Sequence, residues 1–160
     1  GLRDICFVST KIKANFSLLR YKGYIRALDE AGIPLDESKV FLLDNPRYND
    51  AYSAADSIIQ TKPQAIMCIN DIMAIGILKR LTERDIKVPG DISLAGFDDI
   101  VFSQLVHKPL TTVKQPLEKI CSIAMQILEQ KIQAKEEQSE VEKGKVYYIK
   151  PELVIRKTTV

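Results

Sequence analysis

Short apolar runs alternate with longer stretches of helical periodicity through the first two thirds of this 160-residue chain, and that alternation leaves few folds open. Runs at 5–9, 40–43, 65–69 and 92–97 are each followed by a helical segment, at 16–31, 50–61, 71–84 and near 100–105. A βαβ rhythm of this kind specifies an α/β fold, a parallel sheet with helices on both faces. The punctuation agrees. Ala31-Gly32-Ile33-Pro34 and Thr61-Lys62-Pro63 stop the first two helices, and Pro89-Gly90-Asp91 turns the chain into the fourth strand. In a parallel sheet every strand's carboxyl end lies on one edge, and ligands bind in the crevice there. Two clusters of short polar side chains stand at that edge: Asn70-Asp71 after the third strand and Asp98-Asp99 after the fourth.

Composition excludes several classes of function. Lys and Arg total 23 against 21 Asp and Glu, a net charge of +2, and no dense basic stripe appears, so this chain does not by itself grip DNA. Cys6, Cys68 and Cys121 lie far apart inside apolar runs, as reduced, buried thiols of a cytoplasmic protein do. No charged-then-apolar leader opens the chain and no run approaches the ~18 apolar residues of a membrane span. His107 is the single histidine, in a loop before Lys108-Pro109, without the partners of a triad or a metal site. There is no glycine-rich phosphate loop and no dinucleotide fingerprint. An enzyme is not expected, and neither is a cofactor or a metal.

Four motifs in order carry a resemblance to a known family. They are ND-x-MA-x-G at 70–76, P-x-DISL-x-GFDD at 89–99, PLTTV-x-QP at 109–116 and P-x-LVIRKTT at 151–159. This wording resembles the effector-binding and dimerisation core of the LacI/GalR family of bacterial transcription regulators, over nearly the whole chain. The resemblance implies a periplasmic-binding-protein-like lobe, plus a C-terminal segment belonging to a second lobe. Residues 1–110 would form the C-terminal lobe, 111–149 a hinge crossing with a helix of a partial N-terminal lobe, and 150–160 a returning strand and tail. It also implies a small-molecule effector, a sugar or sugar phosphate, and a homodimer in the cytoplasm. Operator DNA would be held by a helix-turn-helix head rather than by these residues. The chain has no initiator methionine and opens almost at once on a strand, so it reads as a fragment without that head and without the first half of the N-terminal lobe.

Sugar recognition calls for groups that donate and accept at vicinal spacing, which carboxylates, amides and guanidinium groups provide. Asp98, Asn70 and Arg20 supply one of each, and Arg20 lies in the first turns of the helix after the opening strand, at the same edge. The resemblance places all three at effector-contacting positions, Arg20 through the R-x-x-G at 20–23. Each has a plainer reading as well: Arg20 as solvated surface, Asp71 as an N-cap before it is a ligand, Asp99 as a cap on the short helix near Ile100. Family members present an aromatic ring near the end of the second strand, and here Asn45 stands in that place. Asn45 would add a hydrogen bond, or Tyr48 would bring a ring from the longer loop. Phe16 is a second candidate for the pocket wall or, equally, for the core.

On the helix at 71–84, Ala74, Ile77, Leu78 and Leu81 form the stripe that faces the sheet, while Ile72 and Ile75 fall off it. The positions of Ile75, Leu105 and Val106 match those the family uses for dimerisation, and Ile72 is placed with them; scattered exposed aliphatics are the plain alternative. Beyond Pro109 the pattern predicts an extended 110–114, a helix from 116 to about 134, a solvated loop at 135–145, and strands at 146–149 and 153–156. The apolar face of that helix, Leu117, Ile120, Cys121, Ala124, Ile127 and Leu128, would pack on a second copy, swap between copies, or lie on the local core. A rival reading of the same lobe architecture is an extracytoplasmic sugar-binding protein of a transport system.

Overall fold

The computed structural model describes residues 1–11, 15–136 and 145–160. It divides into two compact units, one made of Gly1–Val113 with Leu153–Val160 and the other of Lys114–Glu152. The first unit holds a four-stranded parallel sheet in the order β2-β1-β3-β4, built from β1 (Ile5–Thr10), β2 (Val40–Leu43), β3 (Ala65–Cys68) and β4 (Ser93–Ala95). The connections are α1 (Asn15–Glu30), α2 (Tyr48–Gln60) and α3 (Asp71–Glu83), with the one-turn α4 (Phe102–Leu105) after β4. Because β2 and β3 flank β1 on opposite sides, the chain reverses its direction of progress across the sheet between β1 and β3. The crevice at their carboxyl ends is the topological switch point of the fold.

The central strands are saturated with apolar side chains. Cys6, Phe7, Val8, Ile66, Cys68 and Leu94 are fully buried or nearly so, as expected where helices cover both faces. Burial pushes the thiols of Cys6 and Cys68 up, so both are protonated core groups. Phe7 stacks on Tyr24 of α1, ring centroids 5.0 Å apart, and α1 ends in a Schellman motif. Gly32, at φ 62°, donates to the Asp29 carbonyl and Ile33 to the Leu28 carbonyl. On α3 the stripe of Ala74, Ile77, Leu78 and Leu81 is buried as expected, and Met73 joins it. α2 and α3 pack side by side closely enough that a Cβ on Gly76 would meet the Tyr48 carbonyl oxygen at 2.5 Å, which accounts for the glycine of the 70–76 motif.

Past α4 the chain runs beside β4. Gly96 donates to the Thr111 carbonyl at 2.9 Å and Asp98 to the Val113 carbonyl at 2.9 Å. The C-terminal tail is tied to the same segment: Thr111 N–H donates to Thr158 Oγ1, Arg156 N–H to Thr111 Oγ1, and Leu94 N–H to the Thr158 carbonyl. β5 (Thr112–Lys114) and β6 (Glu152–Val154) form a two-stranded sheet.

In the second unit, α5 covers Leu117–Glu136. Leu117, Cys121, Ala124 and Leu128 on its apolar face are exposed, so burial on a local core is not what this chain shows, and Cys121 departs from the expectation of three buried thiols. The strand expected at 146–149 is absent: those residues have no regular structure, and the side chains of Val146 and Tyr148 are open to solvent. The loop expected at 135–145 lies mostly outside the described residues.

Candidate functional site

Arg20 is the centre of the crevice. It leaves the second turn of α1 and reaches across the end of β3, where its guanidinium donates to the Ile69 carbonyl and, at 3.2 Å, to Asp98 Oδ1. The Arg20 and Asp98 side chains are 16% and 29% exposed, so the pair is largely withdrawn from water and only weakly screened. The guanidinium carbon lies 3.7 Å from the centroid of the Phe97 ring and 5.6 Å from that of Phe16. Residues from three separate segments, 16–20, 69 and 97–98, thus gather around one cation.

The backbone that presents Asp98 is unusual. Asp98 has φ 117° and Asp99 φ 54°, two consecutive non-glycine residues in the left-handed half of conformational space. Such conformations cost about 1–3 kcal/mol each and persist only where the surroundings fix them. Here the fixing contacts are visible. Asp99 does not cap the short helix, contrary to expectation; its carboxylate turns inward to Arg156 Nη2 at 2.5 Å, with side-chain exposures of 6% and 14%, and Arg156 Nη1 holds the Leu110 carbonyl at 2.9 Å. A buried carboxylate needs a compensating charge more than a helix start needs a cap.

Asp71 corrects the sequence reading in a complementary way. Asn70, with an extended backbone, is the N-cap of α3, its Oδ1 accepting from Met73 N–H at 2.8 Å. Asp71 is instead buried behind the crevice, where Oδ2 accepts from Ile100 N–H at 3.0 Å and Ser103 Oγ at 2.6 Å, and Oδ1 from Thr112 Oγ1 at 2.5 Å. A Cβ on Gly96 would fall 2.2 Å from that Oδ1. The glycine of GFDD makes room for the carboxylate of ND, and one carboxylate joins α3, α4 and β5.

The second strand's loop sits differently. Asn70 Nδ2 donates to the Pro46 carbonyl at 3.2 Å, drawing that loop toward the start of α3. Asn45 donates to Asp50 Oδ1 at 3.1 Å, in the first turn of α2. Tyr48 does not turn its ring toward Arg20; it stacks on Tyr52, centroids 6.1 Å apart, and the Tyr52 hydroxyl donates to Glu83. Phe97 enters the sequence reading only as a letter of the 89–99 motif, without a role at the site. The signal was available in an aromatic residue placed between a strand and two aspartates.

Of the residues expected at a dimer surface, Leu105 is 72% exposed and Ile72 36%, whereas Ile75 and Val106 are half-buried against the core. Val101 and Phe102, unexpected from sequence, are also exposed and lie beside Leu105 in the chain. His107 is exposed, with Nε2 3.3 Å from Thr82 Oγ1. Among the described residues no group of three or more His, Cys, Asp or Glu could hold a metal ion, and no helix is long and apolar enough to cross a membrane.

Residues 1–159 match the family described as periplasmic binding protein-like domain. The HTH-type transcriptional repressor PurR of Vibrio campbellii is 36% identical over 160 residues, which are 99% of this chain and 46% of that protein. The chain spans about half the length of the curated relatives it matches. Among solved structures, a LacI-family transcriptional regulator from Sanguibacter keddieii superposes with a TM-score of 0.91 at 27% identity, covering 99% of this chain and 58% of that one. The transcription regulator CcpA of Lactococcus lactis gives 0.87 at 26% identity, covering 100% and 57%.

Proposed function

This chain belongs to the periplasmic binding protein-like domain family, and we propose that it is the effector-binding core of a LacI/GalR-type regulator, binds a sugar or sugar phosphate at the carboxyl ends of β1, β3 and β4 and forms a homodimer. The observation that carries the reading is the convergence of Arg20, Asp98 and Phe97 in a largely dry crevice at the switch point. Arg20 and Asp98 are the ligand grips, Asn70 fixes the neighbouring loop, and Phe16 and Asn45 border the site. Ile72 and Leu105, extended by Val101 and Phe102, are the apolar surface that pairs two copies, with Ile75 and Val106 behind them.

In the whole regulator, effector binding shifts a hinge equilibrium around 110–116 and 149–151 by its differential affinity for the two lobe arrangements. The paired lobes relay that shift to DNA-binding heads outside these residues, in the cytoplasm. Residues 1–110 act as one lobe, 111–149 as the crossing into the other, and 150–160 as the return. The chain performs no catalysis in this scheme and takes no cofactor.

A gel shift tests the proposal, using the complete gene product and its own upstream DNA, titrated with sugars, sugar phosphates and free nucleobases. Release or tightening by a sugar is the expected result, and Asp98→Asn should abolish that response while DNA binding persists. A response to a nucleobase alone would overturn the sugar class. Failure to bind DNA under any condition would move the transport-type binding protein to the front.

A further inference from the structure

We infer that Phe97 is a positioning residue: its ring forms the plate that holds the Arg20 guanidinium in the orientation the crevice requires. Neither Phe97 nor Phe16 belongs to the apolar core or to the partly buried side chains packed against it. Phe97 nevertheless sits directly after β4, half-buried, with its own carbonyl fixed by Asp71 N–H at 2.9 Å. Its ring centroid is 3.7 Å from the Arg20 guanidinium carbon, at van der Waals contact, whereas Phe16 is 5.6 Å away and 46% exposed.

The geometry divides the labour. Two hydrogen bonds, to Ile69 O and Asp98 Oδ1, fix two edges of the guanidinium, but both partners leave it free to rock about the line between them. A flat apolar surface against one face removes that freedom, attracts the cation through the ring quadrupole, and keeps water from the covered face. The remaining N–H groups are then presented as a fixed fork, the form in which arginine recognises paired oxygens.

The positioning is tested without any effector, by nitrogen-detected NMR of the Arg20 side chain in the 160-residue chain at low temperature. Wild type should show separate Nη resonances, because rotation of the guanidinium is hindered. Phe97→Tyr should keep them separate. Phe97→Leu and Phe97→Met, which retain bulk without a ring, should average them, with thermal midpoints confirming that both variants are folded. Separate resonances in either folded ring-free variant would overturn the inference, since the two hydrogen bonds would then suffice.

The consequence for binding rests on the effector-site reading and has its own readout. In the gel-shift panel, the sugar that releases wild-type protein should be needed at about tenfold higher concentration by Phe97→Leu, within the range of a desolvated cation–π contact. Phe97→Tyr should stay within about twofold. An inert panel would count against the effector reading alone, because the resonances decide the role of Phe97 independently.

Discussion

Replacing Asp71 separates the structural half of the site from the half that faces the crevice. Three donors converge on its carboxylate: the Ile100 amide at 3.0 Å, the Ser103 hydroxyl at 2.6 Å and the Thr112 hydroxyl at 2.5 Å. Asp71→Ala strands all three where Ser103 and Thr112 are fully buried. Each buried donor left unsatisfied costs about 1–3 kcal/mol. The hydroxyls can turn toward other acceptors or an entering water, so the total should be about 3–6 kcal/mol, a large part of a domain's usual 5–15. Asp71→Asn is the control. With its carbonyl in the place of Oδ2 it still accepts from Ile100 and Ser103, and its amide donates to a Thr112 hydroxyl turned to accept, so the loss should stay near 1–2 kcal/mol. Urea unfolding followed by circular dichroism measures both. A loss below about 1 kcal/mol for the alanine variant would refute the reasoning, because three buried donors would have been stranded at no cost.

Three further perturbations probe the surroundings. Gly96→Ala drives a methyl to 2.2 Å from Asp71 Oδ1 and 3.0 Å from Leu110 Cδ2, and should cost about 1–3 kcal/mol or more in the same unfolding assay. In an Asp71→Ala background that cost should shrink, as the clashing oxygen is gone. Arg156→Ala leaves the Asp99 carboxylate buried without its cation, 2.5 Å away in the native protein, and should cost about 3–5 kcal/mol, read as a lower urea midpoint. On the surface between α2 and α3, hydrogen bonds from Arg80 and then Arg84 hold the Asp56 carboxyl well below the usual carboxylate range. A depressed folded pKa means stability that is present above the unfolded value, about 3.9, and lost as pH falls through the folded one. The stability gap between wild type and Asp56→Asn should therefore be level above about pH 5 and close on acidification below about pH 4, as followed by thermal melts across pH.

The order of strands and helices was legible because it is written in local periodicity. The β2 run at Val40–Leu43 was placed to the residue, and α3 at Asp71–Glu83 to within one. The C-terminal third was less legible for a physical reason. Val146, Tyr147 and Tyr148 have the residue types of a strand, but strand structure needs a neighbour to pair with, and residues 145–151 have no regular structure here. The helix α5 shows the converse: its periodicity forms the helix, yet Leu117, Cys121, Ala124 and Leu128 of its apolar face remain open, with Ile120 and Ile127 half-buried.

Side-chain roles were harder to read than elements, and the pairs Asn70-Asp71 and Asp98-Asp99 show why. In each pair two similar residues part company: Asp98 meets Arg20 in the crevice while Asp99 turns into the scaffold, and Asn70 caps α3 while Asp71 is buried behind it. Nothing in residue type decides which. Asp98 and Asp99 both take positive φ and are separated by its size, 117° and 54°, a choice aspartate tolerates better than most residues but does not dictate. The choice is made by Arg156, whose cation arrives 57 residues later to neutralise Asp99, and by Arg20, 78 residues earlier, which meets Asp98. Asn70 and Asp71 are separated in the same manner, by the N-cap geometry of α3 on one side and by the space Gly96 leaves on the other. The motif letters therefore mark a junction more than a ligand list. Gly76, Gly96, Asp71, Asp99 and Arg156 are constrained by packing and charge whatever the effector is. On the proposed effector-site reading, specificity resides in the side chains that face outward from that junction, where Phe97, Arg20 and Asp98 meet.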